Sequence, residues 1–97
     1  MPKIELSKLA QQDLIDIWLY SLEEWGITQA DMYLDQIDNA LNTLTHNPEI
    51  GINSNHIREN YRKFKINRHF IWYKIVRQKT IYVVRILGEE MDYKSHL

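Results

Sequence analysis

Apolar residues change their spacing twice along this chain, and each change marks a change of backbone. Lys3-Ile4-Glu5-Leu6 alternates polar with apolar, which predicts a short strand with Ile4 and Leu6 turned to the core. Ser7 follows as an N-cap, its hydroxyl free to accept an amide of the first helical turn. Leu9, Ala10, Leu14, Ile17, Trp18 and Leu22 then recur at three- and four-residue spacing, one stripe of an amphipathic helix, with Gln11, Gln12, Asp13 and Asp16 largely outside it. Gly26 tolerates the positive φ needed where that helix stops. Thr28 and Asp31 read as a weak capping box for a second helix, with Ile27 and Met32 as a hydrophobic staple. Tyr33, Ile37, Ala40, Leu41 and Leu44 carry the second stripe as far as Asn47-Pro48, where proline disfavours helix in the residue before it. So short a connection makes the two helices an antiparallel hairpin.

From Asn47 to Tyr61 periodicity is lost, and Pro48, Gly51 and several asparagines predict a long loop, packed or mobile. Spacing then becomes two-residue: Phe64 and Ile66, Phe70 to Val76, and Thr80 to Leu87 predict three strands, with Arg77-Gln78-Lys79 as a short hairpin link. The run Ile81-Tyr82-Val83-Val84, with Ile86-Leu87, predicts a strand covered on much of both faces and central in its sheet. The expected fold is α+β in two layers: an N-terminal strand, a helical hairpin, then a three-stranded antiparallel meander, β-α-α-β-β-β, as one domain over residues 1–97.

Charge sharpens this picture because it is segregated. Residues 1–49 carry nine acids against Lys3 and Lys8, whereas residues 50–97 carry ten bases against Glu59, Glu89, Glu90 and Asp92. A basic sheet half attracts anions such as nucleic acid or an acidic protein. Between Arg58 and Lys79 eight bases stand against Glu59 alone, interleaved with Tyr61, Phe64, Trp72 and Tyr73. Aromatic residues at that spacing are more often packing than base platforms. Arg85 interrupts the last apolar run and must either reach the edge of the sheet or find an acidic partner such as Asp92, which would fix the tail.

The chain has no cysteine, the histidines His46, His56, His69 and His96 lack metal-ligand spacing, and no phosphate loop or nucleophile motif occurs. Neither a metal nor a cofactor is expected. No apolar stretch reaches signal-peptide or membrane-span length, so a cytoplasmic protein is expected.

The order of elements, Asn47-Pro48-Glu49-Ile50-Gly51 after the second helix, Arg68-His69 before the aromatic strand, and Arg85-Ile86-Leu87 followed by Met91-Asp92 and His96-Leu97 together resemble a ParE-type toxin of the RelE/ParE superfamily. The tail departs from that pattern at Gly88 and Glu90, which replace residues often histidine and arginine, and at Ser95, which replaces an arginine, so its basic character is reduced. The resemblance implies the toxin of a type II toxin–antitoxin pair that inhibits DNA gyrase without an active site of its own. It also implies a cognate antitoxin, ParD-like or related, whose C-terminal segment wraps the toxin; nucleic acid is met only through the target complex.

On that resemblance the residues expected to meet the target are Arg68, Arg85, Met91, Asp92, Tyr93, His96 and Leu97. Those expected to meet the antitoxin are Arg62, Lys63, Lys65, Trp72, Lys74 and Arg77. Two alternatives stay open. One is a ribosome-dependent mRNA endoribonuclease of the RelE kind, with Lys65, Arg68, His69, Arg85, Tyr93 and His96 around the scissile phosphate. The other is a degenerate toxin that only binds its antitoxin.

Overall fold

A computed structural model describes residues 3–97. Strand β1 (Ile4–Leu6) leads into helix α1 (Lys8–Trp25) and helix α2 (Ile27–His46). The loop after α2 contains the two-residue strand β2 (Ile52–Asn53); β3 (Tyr61–Ile66), β4 (His69–Val76) and β5 (Thr80–Gly88) follow. One turn of 3-10 helix at Arg77–Lys79 links β4 to β5, and a single helical turn, α3 (Tyr93–His96), ends the chain. The five strands form one sheet in the order β1-β5-β4-β3-β2, with β1 parallel to β5 and the rest antiparallel.

The α+β architecture and the β3-β4-β5 meander are those expected from the sequence, and β5 is an interior strand, flanked by β1 and β4. The core lies between the helical hairpin and one face of the sheet. Ala10, Ile17, Ile37, Ala40, Leu41 and Leu44 pack there on Ile71, Tyr73, Ile81, Val83 and Ile86. Val83 and Ile86 are three residues apart yet share that face, which strict alternation forbids. A bulge resolves this: Trp72 pairs with Arg85 and Tyr73 with Val83, leaving Val84 as the extra residue of β5.

Ser7 caps α1 as expected, accepting the Ala10 amide at 3.0 Å, and its hydroxyl donates to the Val84 carbonyl at 2.6 Å. The second cap differs from expectation. Gly26, at φ +90°, is itself the N-cap of α2, so Thr28 lies inside the helix. Ile27 and Met32 are 60% and 50% exposed and form no buried staple. With Gly26 already joining the helices, no residue is left to act as a separate cap. Leu9, placed in the core stripe by spacing, is 58% exposed, while Asp13 is buried.

The long loop is packed. The Tyr73 hydroxyl accepts the Gly51 amide at 2.9 Å and donates to the Pro48 carbonyl at 2.7 Å, fixing the loop to the core face. A Cβ on Gly51 would overlap that hydroxyl. Asn53 accepts the Asn55 amide and Asn55 accepts the Asn60 amide, so asparagine side chains replace the missing ladder bonds.

Candidate functional site

Strand alternation gives the sheet a second face, away from the helices. Register places Lys63 opposite Trp72 and Lys65 opposite Phe70 on that face. Trp72 is only 2% exposed, because Tyr93 of α3 lies over it with ring centroids 5.3 Å apart and Phe70 flanks it at 6.4 Å. Lys63 Nζ sits 4.8 Å from the Phe70 ring and 5.4 Å from the Trp72 ring. Lys74 Nζ sits 6.0 Å from Tyr61 and 5.8 Å from Tyr82. Each ammonium is thus held by ring quadrupoles while its charge stays available outward. Among the described residues neither Lys63 nor Lys74 has an ion-pair partner, whereas Lys65 is bridged to Glu89 at 3.0 Å, an exposed pair of small energetic weight.

The C-terminal segment is strapped across one end of this face. Met91 Sδ accepts the Gly88 amide at 3.2 Å, and Asp92 caps α3 by accepting from Lys94 and Ser95. Arg58 Nη2 donates to the Leu97 oxygen at 2.7 Å, and the Glu89 amide donates to the Arg68 carbonyl at 2.7 Å.

Arg85 is paired, but with Asp13 rather than Asp92. Its Nε and Nη2 each donate to the Asp13 carboxylate at 2.8 Å, and the Ile86 amide donates to the same carboxylate at 2.9 Å. The reason is topological. Strand β1 stops at Leu6, so beyond it the edge of β5 has no neighbouring strand, and α1 supplies Ser7 and Asp13 to meet the exposed backbone groups there. Asp92 is meanwhile committed to its own helix cap. The hydrogen bonds that Arg85 donates to Asp13 push its guanidinium above its ordinary pKa against the opposing effect of burial. Arg85 Nη1 also reaches the His96 carbonyl at 3.4 Å, which ties the tail to the same pair.

His69 lies at the start of β4, its Nδ1 2.6 Å from the Tyr33 hydroxyl of α2. Burial lowers the His69 pKa below the usual imidazole value, outweighing the Asp13 and Glu89 carboxylates, and burial raises that of Tyr33. This histidine is turned toward the helical layer. Arg62 faces the loop, donating to the Glu49 carbonyl at 3.2 Å and the Gly51 carbonyl at 2.8 Å. Arg68, Arg77 and His96 are exposed. Lys63, Lys65, Trp72, Lys74 and Tyr93 therefore share the outer face, whereas Arg62, His69 and Arg85 serve the loop, the helix and the β5 edge. Sequence reasoning missed Asp13, whose place in the helical stripe was read as polar exterior, and Tyr33, read as core alone.

Residues 4–93 match the family model described as ParE toxin of type II toxin–antitoxin system, parDE. The chain belongs to the ParE toxin family. It is 37% identical over 92 residues to Toxin ParE1 of Mycobacterium tuberculosis, covering 95% of this chain and 94% of that relative. Toxin ParE1 of Caulobacter vibrioides is 31% identical over 98 residues, covering 100% and 99%. A solved chain of the chromosomal ParDE TA system from P. aeruginosa superposes with a TM-score of 0.79 over 93% of this chain and 98% of that one, at 18% identity, a likeness of fold. In this ParE toxin the family match runs from β1 to the first residue of α3, so it includes Asp13, Arg85 and the outer face. Among the described residues no helix is long and apolar enough to cross a membrane, and no cluster of three or more His, Asp or Glu is arranged for a metal.

Proposed function

We propose that this ParE toxin, acting as one domain in the cytoplasm, inhibits DNA gyrase by docking its outer sheet face and C-terminal segment on the enzyme, and that a cognate ParD-like antitoxin neutralises it. The observation carrying the reading is the lysine and aromatic lattice of β3 and β4, with Lys63 and Lys74 free of intramolecular ion pairs among the described residues. Such a face suits an anionic macromolecular surface better than a small substrate. Of the target-facing residues, Tyr93 and Met91 hold the strap against this face, with Asp92, His96 and Leu97 around them, and Arg68 stands beside Glu89. The ribonuclease alternative is less favoured on geometry: Arg85 is engaged by Asp13, and His69 by Tyr33, so neither is presented to a phosphate.

Antitoxin binding is proposed to place acidic side chains over Lys63, Lys65 and Lys74, covering what the target would meet. A supercoiling and DNA-cleavage assay with purified gyrase tests the function. Loss of supercoiling with cleaved DNA left on the enzyme is the expected result; unimpaired supercoiling without cleaved product refutes it.

A further inference from the structure

The loop that precedes β3 encloses a pocket of about 200 Å³, lined by Asn53, Asn55, Asn60, Tyr61 and Arg62 over Ile75. Its polar lining consists mainly of donors. Asn53 Oδ1 accepts the Asn55 amide at 2.9 Å, and Asn55 Oδ1 accepts the Asn60 amide at 2.6 Å. A backbone amide only donates, so these bonds fix which end of each carboxamide is oxygen and leave both Nδ2 groups to donate elsewhere. Neither Nδ2 has a partner among the described residues, nor have the Asn60 side chain and the Tyr61 hydroxyl. Arg62 commits Nη1 to the Glu49 and Gly51 carbonyls, and no carboxylate pairs with it among the described residues, so its charge is uncompensated. No aspartate or glutamate lines the pocket. Donors gathered around an unpaired guanidinium select an anion.

Size and neighbourhood narrow the choice of anion. The pocket is smaller than the roughly 300–1,000 Å³ of a site for a whole small molecule, so it takes one group of a longer ligand. Tyr61 belongs both to the pocket and to the lysine lattice: Lys74 Nζ lies 6.0 Å from its ring, and Lys63 follows two residues along β3, about 7 Å away on the same face. A row of cations that begins at a donor-lined pocket suits a polymer with an anion at every step. The donors reach the pocket from β2, the loop and β3, which suits tetrahedral phosphate better than a planar carboxylate.

We infer that this pocket is a phosphate site, and that the chain by itself binds a nucleic-acid strand, one phosphate held by Asn53, Asn55, Asn60 and Arg62 and the next ones lying over Lys74 and Lys63. The inference goes beyond the gyrase reading and does not depend on it, because it concerns the toxin alone.

Fluorescence anisotropy of a short labelled oligodeoxythymidylate with the full toxin at low salt tests this. Binding is expected, with log Kd rising against log salt concentration at a slope of about 2, the value for about three phosphates of a single strand. Asn55→Asp keeps the oxygen that holds the Asn60 amide and replaces the donor with a charge; it should weaken binding about tenfold with an unchanged circular dichroism spectrum. Asn39→Asp, the same change of charge on α2, should leave binding unchanged. The carboxamide NMR signals of Asn53 and Asn55 should shift when the oligonucleotide is added. Shifts with inorganic phosphate and none with the oligonucleotide assign the pocket to a free anion and overturn the inference. A labelled polyglutamate peptide bound as tightly as the oligonucleotide, and weakened equally by Asn55→Asp, assigns it to carboxylates and overturns the inference as well. So does oligonucleotide binding that Asn55→Asp leaves intact, or no binding at low salt.

Discussion

Asp13 shows how much one buried carboxylate can organise. It receives two guanidinium donors from Arg85 and the Ile86 amide, so it joins α1 to the strand edge and, through Arg85, to the tail. Both side chains are largely shielded from water, so removing one partner strands the other. Asp13→Ala should lower stability by about 3 kcal/mol, read as a shift in the urea midpoint. Replacing the pair with Asp13→Leu and Arg85→Met should recover part of the loss, the Ile86 amide remaining unpaired. His69 gives a pH dependence of definite sign. Its folded-state pKa lies below the unfolded value, so the neutral form favours folding: the contribution is complete above about pH 6.5 and is lost as pH falls from there through the lower folded value. Urea midpoints between pH 7.5 and about 5 should decline in the wild type, and His69→Gln should flatten that slope. An equal slope in both proteins would assign the effect elsewhere.

At the scale of elements, the loop between α2 and β3 is positioned by one tyrosine. Gly51→Ala would drive a methyl group into the Tyr73 hydroxyl and should cost about 1–3 kcal/mol by thermal or urea unfolding. Tyr73→Phe should cost about as much by leaving the Gly51 amide without its acceptor. This loop also marks the limit of what the chain's pattern reveals. The two long helices and β3 to β5 were legible because each repeats its period several times. Strand β2 has two residues and α3 four, too few for any period to register. Charge pointed to a basic surface on the sheet half, but it grouped Phe64 and Tyr73 with that surface, and both pack on the core side. Asp13 was not read as buried, since a polar residue on a helix is ordinarily solvent-facing, and only the early end of β1 makes a buried acceptor useful there. The Arg85 pairing was misassigned for the same reason: proximity in sequence favoured Asp92, whereas the nearest acid in space is 72 residues away.

Across the whole molecule, an acidic helical layer backs a basic sheet. If the outer face does the docking, Lys63→Glu with Lys74→Glu should abolish gyrase inhibition while leaving the circular dichroism spectrum unchanged and lowering stability by only about 1–2 kcal/mol, the ring contacts of the two ammonium groups being lost but no ion pair among the described residues. Inhibition by the wild type should also weaken as ionic strength rises. The parallel pairing of β1 with β5 has a different consequence. Ile4 meets Ile81, so the strand made first on the ribosome can be seated only after nearly all of the chain has been synthesised. Contacts of such long sequence separation form late and slowly. A nascent or prematurely terminated product lacking β5 would have neither the strand that joins β1 to the rest of the sheet nor the Arg85 and Ile86 donors that Asp13 receives. Harm from this polypeptide would therefore begin only once translation is almost finished, giving the cell an interval in which an incomplete copy is harmless.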